Sequence, residues 1–98
     1  MNDSDLAKMK ETIMSETPYG IAQSAIARLK EAVYLTLHRG PEAGLTNSAI
    51  GRSLGIYGGH VGHEGHVSRT LLAMLETEGV VTQDKQTKRW RLCVHDGE

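Results

Sequence analysis

The chain has 98 residues, enough for one compact domain and too few for two, so any function must fit on a single small core rather than in a deep interdomain cleft. Its 39% apolar and 23% charged residues are a globular composition; there is no Phe, and the aromatics are Trp90 and three tyrosines, which predicts an aliphatic core. The formal charge of -1 provides no global attraction to nucleic acid, so a polyanion could be recognised only through a local cluster of cations. From the N-terminus, Asp3 or Ser4 is placed to cap a short helix through Leu6, Met9, Ile13 and Met14 to about Ser15. This thin apolar stripe reads either as a dimerisation or docking arm or as a helix packed on its own domain, and residues 1–17 are taken as an N-terminal helical arm. Thr17-Pro18 breaks it, because the residue before proline is pushed out of helical geometry.

A stronger helix is predicted from about Tyr19 to His38, with Ile26, Leu29, Val33 and Leu37 along one face and Ala22, Ala25 and Ala32 beside them. Gly40-Pro41 ends it, and Thr46 is placed as the N-cap of a short helix from Asn47 to Leu54 whose buried face would be Ala49, Ile50 and Leu54. Gly55 supplies the stop. Residues 57–66 are too rich in glycine for a helix, and a third helix is predicted from about Glu64 or Gly65 to Glu78, with Val67, Leu71 and Leu75 facing inward and Leu72 and Met74 flanking. Its opposite face carries His66, Arg69, Thr70 and Ala73. After Gly79, the β-branched run from Val80 to Gln83 and the alternation of Trp90, Leu92 and Val94 with Arg89, Arg91 and Cys93 predict a β-hairpin about a polar turn at residues 84–87. The charge is uneven: Asp3, Asp5, Glu11, Glu16, Glu31 and Glu42 slightly outnumber the basic residues of the first half, whereas Lys85, Lys88, Arg89 and Arg91 face Asp84 alone across residues 82–94.

The order helix, short helix, longer helix ending in Leu75-Glu76-Thr77-Glu78-Gly79-Val80-Val81, then a basic hairpin with Trp90 in its return strand, resembles the winged helix-turn-helix family over roughly residues 19–94. The most specific stretch is Val67 to Val81, which is similar to the recognition helix and the entry to the wing in that family. The resemblance implies an α+β, mainly α fold with a three-helix core and a C-terminal wing across residues 18–95, together with the extra N-terminal helix. It further implies double-stranded DNA as partner, the third helix in the major groove and the wing on the backbone or minor groove. The slim polar face of Thr70 and Ala73 leaves room for Arg69 to reach a base edge or phosphate, with His66 beside it. Lys85, Lys88, Arg89 and Arg91 would neutralise phosphates, and Ser48 and Arg52 lie where the first helix of the motif would touch the backbone. One departure stands out, since the family joins the two helices by three or four residues and here residues 56–65 intervene.

His60, His63 and His66 recur every three residues around Glu64. Imidazoles in a glycine-rich loop suit zinc, nickel or copper. A period of three does not by itself converge three rings, so the alternatives of exposed or helix-capping histidines and of phosphate contacts by His63 or His66 stay open. Ser68 beside His66 is not a dyad, because helical neighbours point about 100° apart, and no nucleophile, carboxylate pair or phosphate loop completes a catalytic site. The expectation is therefore a non-enzymatic DNA-binding regulator without cofactor, homodimeric because one helix and wing read few base pairs. A protein partner for the same scaffold is the alternative. Cys93 is the only cysteine, so no intramolecular disulfide forms; no signal peptide or bilayer-spanning apolar run is visible, and the expected setting is cytoplasmic.

Overall fold

The computed structural model describes residues 4–5, 16–59, 62 and 64–94. Ser4 and Asp5 are helical, while the remainder of the expected N-terminal helix, Leu6 to Ser15, lies outside the described residues together with His60 and His63. The described chain is a mainly helical α+β arrangement of α1 (Pro18–His38), α2 (Asn47–Ser53), α3 (His66–Thr77) and an antiparallel hairpin of β1 (Val81–Gln83) and β2 (Trp90–Leu92).

Local chemistry accounts for most boundaries. Thr17 is extended and its Oγ1 accepts the Gly20 N–H at 2.9 Å, while Pro18 occupies a first-turn position where a missing N–H costs nothing. Thr46 likewise caps α2 by accepting the Ala49 N–H at 3.2 Å, and Leu54 is the C-cap rather than the last helical residue. In the hairpin, Val81 pairs with Leu92 and Gln83 with Trp90. Leu45, in the link between α1 and α2, forms an isolated antiparallel bridge with Trp90, accepting its N–H at 2.7 Å and donating to its carbonyl at 3.0 Å. Gly44 makes this possible: it sits at φ +87, and a Cβ there would overlap the Trp90 carbonyl.

Val33, Leu37, Ile50, Leu71, Leu72, Leu75, Val81 and Trp90 form the core, with Leu29, Leu45, Leu54, Ile56, Val80 and Leu92 packed around it. Each fully buried aliphatic side chain contributes about 1.5–3 kcal/mol of transfer free energy. The core is aliphatic except for Trp90, which joins it at the crossing of the hairpin and the Leu45 bridge.

Three expected core positions face outward. Ala49 is exposed and Gly51 is buried. These two residues lie about 100° to either side of Ile50, and α2 turns its glycine side to α3 because a missing side chain permits the closer approach. Val67 is 45% exposed, because the buried face of α3 is set by Ser68, Leu71, Leu72 and Leu75, with the small Ser68 against Gly51. Val94 is 83% exposed, since strand pairing ends at Leu92 and the last cross-strand bond, from the Cys93 N–H to the Val80 carbonyl at 2.8 Å, leaves Val94 without a facing residue. Among the described residues no helix is long and apolar enough to cross a membrane.

Candidate nucleic-acid interface

The long link between α2 and α3 does not hold the two helices apart. Ile56 donates to the Gly51 carbonyl at 2.8 Å, turning the chain back over α2, and the Gly65 N–H donates to the Tyr57 carbonyl at 3.2 Å. Residues 58–64 are therefore an excursion whose ends are joined, and the connection that sets helix geometry is only the few residues from Leu54 to Tyr57 plus Gly65.

Gly65 is the centre of this juncture. It caps α3 in the left-handed region at φ +81, with no side-chain cap. Its carbonyl accepts from Arg69 N at 3.0 Å, Ser68 Oγ at 3.2 Å and Asn47 Nδ2 at 3.3 Å, so the first residue of α2 is tied to the first turn of α3. A Cβ on Gly65 would fall 2.7 Å from Asn47 Nδ2 and 2.9 Å from Tyr57 Cε1. At the next contact a Cβ on Gly51 would fall 2.9 Å from Ser68 Oγ. Asn47 Oδ1 is buried and has no partner among the described residues.

With its inner face committed in this way, α3 leaves His66, Arg69, Thr70 and Ala73 exposed as one strip. The Arg69 guanidinium makes only a long 3.5 Å contact with the Glu64 carbonyl, so its charge is unneutralised by any carboxylate among the described residues. On α2, Arg52 is exposed and lies 4.7 Å over the Tyr57 ring, a cation–π contact that holds the guanidinium near the start of the excursion. Ser48 is half-buried and shares a 3.3 Å hydrogen bond with the capping Thr46, which leaves it less available than Arg52.

The hairpin tip is organised by Asp84. Its Oδ1 accepts from both Gln86 N and Thr87 N at 2.9 Å, and its backbone carbonyl accepts from Lys88 N at 2.8 Å. The backbone N–H groups of Thr87 and Gln86 hold the Asp84 carboxyl below its ordinary pKa, assisted by the Thr87 hydroxyl and the charge of Arg91. Lys88 takes a left-handed φ of 64, and Lys85, Lys88 and Arg91 are all exposed. Arg89 differs from these three: it is half-buried, and its Nη1 donates to the Gly44 carbonyl at 2.9 Å, fastening the hairpin to the link before α2. The ion pairs among the described residues, Arg28–Glu31 and Lys30–Glu78, both use α1 and none of these cations.

Comparison with known proteins finds no matching family model, curated protein or solved structure.

The expected contact residues thus fall into an α3 strip, one arginine on α2 and three exposed cations on the hairpin, while Arg89 serves as an internal tie. Of the three histidines considered for a metal, His66 is exposed on the first turn of α3 and the other two lie outside the described residues. Among the described residues no group of three or more metal-ligating side chains converges. Sequence reasoning missed Asn47, Gly51, Tyr57, Gly65 and Ser68, which position α3. Their signal was faint but present: a serine at the spacing of a buried helical face, and a glycine inside α2 with no capping or turn role, are both marks of close approach.

Proposed function

We propose that this chain is a winged helix-turn-helix domain that binds double-stranded DNA, with α3 in the major groove and the β1–β2 hairpin on the phosphate backbone. The observation that carries the reading is the closed juncture at Tyr57 and Gly65, which brings α2 and α3 together as a short turn would while leaving the Arg69, Thr70 and Ala73 strip open. The isolated Leu45–Trp90 bridge supports it as well, by pairing the link before α2 with the return strand of the hairpin. In this reading Arg69 reaches a base edge, His66 and Thr70 contact the groove, and Ala73 keeps the helix slim enough to enter. Arg52, Lys85, Lys88 and Arg91 contact phosphates and set the register without reading sequence. Two copies acting on paired half-sites supply the length of sequence that one helix lacks. Exposed cations on a chain of net charge -1 make the attraction local and strongly salt-dependent.

Fluorescence anisotropy with mixed duplex fragments across a salt series tests this. Arg69→Ala is expected to weaken binding by about 1–3 kcal/mol. Lys85→Ala/Lys88→Ala is expected to weaken it across all sequences and to make the salt slope shallower by about 2. A folded protein that binds no duplex even at low salt would instead direct the search to a protein ligand for the same face.

A further inference from the structure

The return strand of the hairpin has an outer edge that is paired at one residue and open beyond it. In an antiparallel ladder, successive residues turn their N–H and C=O groups alternately to the two sides of the strand. Cys93 donates to the Val80 carbonyl at 2.8 Å and Arg91 is in register with Thr82, so these two residues turn theirs to β1. Trp90 turns its own the other way, to Leu45, donating at 2.7 Å and accepting at 3.0 Å. Leu92 and Val94 share the parity of Trp90 and point to the same outer side. There the link has already departed. It turns between Pro41 and Gly44, closed by the Gly44 N–H to the Pro41 carbonyl at 2.9 Å, and the Gly44 φ of +87 carries it away from β2. On this side the backbones of Leu92 and Val94 have no partner among the described residues. What remains beside them is an open recess of about 730 Å³, with Leu37, Pro41 and Ala43 on one wall and Leu92, Cys93 and Val94 on the other.

We infer that a second copy of this chain fills this edge, its residues 92–94 pairing antiparallel with residues 92–94 of the first about a two-fold axis at Cys93. Three observations select this occupant. First, the segment is its own complement. Centred on Cys93, Leu92 of each copy faces Val94 of the other, and the two pairs exchange four hydrogen bonds that use the open groups of both residues. Second, the pairing covers what the single chain leaves bare. Val94 is 83% exposed, and in this register its side chain lies directly across from Leu92 of the other copy. Third, Leu45 already holds the Trp90 position of the same edge, so a long strand cannot run along β2, whereas the ends of two identical strands fit. The two hairpins become one four-stranded sheet, and the two-fold contact is closed, so assembly stops at two.

The contact is small beside the roughly 1,600 Å² of a standard interface, so the dimer is a weak one. A charge of -1 on each chain opposes it little. Of the residues lining the recess, only Arg91 is among the phosphate contacts above. Its side chain stands out of the plane in which the strands join, so DNA and the second copy make no competing demand on it. The inference supplies an interface for the two copies proposed above and rests on no other part of that reading.

Cys93 lies on the axis and reports the contact without a mutation. Directly opposed residues in a pair of this kind have Cα atoms about 4.5 Å apart, within the span of a disulfide. Moving the thiol by one residue, in Cys93→Ser/Val94→Cys, places the two cysteines on a diagonal about 7–8 Å apart, at or beyond that span. The full-length chains are oxidised with diamide at high micromolar concentration, without DNA, and the linked dimer is followed on non-reducing gels. Each rate is divided by that of the same thiol with a small disulfide reagent. Cys93 is expected to link about tenfold faster than the variant, although it is half-buried and position 94 is exposed; chance collision gives the opposite order. Val94→Pro removes the N–H that donates to Leu92 of the other copy, at a position outside the core. It is expected to slow linkage of Cys93 by about tenfold and to abolish the concentration dependence of sedimentation, at an unchanged urea midpoint. Linkage of Cys93 no faster than that of the shifted thiol, or a rate indifferent to Val94→Pro, overturns the inference.

Discussion

Gly65→Ala is the most incisive perturbation of the α2–α3 juncture. Holding a residue with a Cβ in the left-handed region costs about 1–2 kcal/mol. The new Cβ would also stand 2.7 Å from Asn47 Nδ2 and 2.9 Å from Tyr57 Cε1, both inside contact distance. One of those side chains must move. If Asn47 yields, its 3.3 Å hydrogen bond to the Gly65 carbonyl is lost, a matter of about 0.5–1.5 kcal/mol. If Tyr57 yields, the 4.7 Å contact under Arg52 opens, and overpacking of this kind costs about 1–3 kcal/mol. The combined loss centres on about 3 kcal/mol, which in a domain of this size lowers Tm by roughly 12–24 °C. Gly55→Ala is the matched control, because Gly55 also has a positive φ of 71 but nothing lies within 4 Å of its added Cβ. It should lose only the backbone part, about 1–2 kcal/mol. Urea unfolding of both variants, read by far-UV circular dichroism, measures the difference. Equal losses within about 0.5 kcal/mol would refute the idea that α2 and α3 are held together by close approach at Gly65.

The remaining predictions concern the hairpin and the core. Asp84→Asn keeps an oxygen for the Gln86 and Thr87 N–H groups and removes only the charge, so it isolates the titration of this carboxyl. Because the folded pKa lies below its ordinary value, the stability that ionisation adds is fully present above the unfolded pKa and is lost as pH falls through the folded one. The gap between wild type and variant should stay constant above about pH 5 and close below about pH 4; a gap that persists into stronger acid would show that Asp84 acts through shape alone. Arg89→Ala removes the bond to the Gly44 carbonyl and should lower stability by about 1–2 kcal/mol, with a smaller change in the salt slope of duplex binding than Lys88→Ala; the reverse order would make Arg89 a phosphate contact. Leu72→Ala, at a position with no exposure, should cost about 2–5 kcal/mol in thermal or urea unfolding, and a loss under about 1 kcal/mol would place Leu72 outside the core.

What the sequence determined by itself was whatever depends on a few adjacent residues. The spans of α1 and α3 follow from apolar spacing, the start of α1 to within a residue or two from the break at Thr17-Pro18, that of α2 from the cap at Thr46, and the hairpin from alternation around Trp90, because breaks, caps and periodicity act within one or two turns of the chain. The exposed strip of His66, Arg69, Thr70 and Ala73 was legible for the same reason, as the complement of a leucine face. Contacts between residues far apart were not. The Leu45–Trp90 bridge is a single pair with no period to announce it, and the Arg89 tie to Gly44 joins residues 45 positions apart. Glycine richness signalled the excursion from Tyr57 to Gly65, but not that its ends are bonded together. Helical spacing also left open which side of α2 turns inward. The burial of Gly51 over Ala49, and of Ser68 while Val67 faces out, was decided where two helices meet, since the closest approach goes to whichever surface has the least side chain in the way.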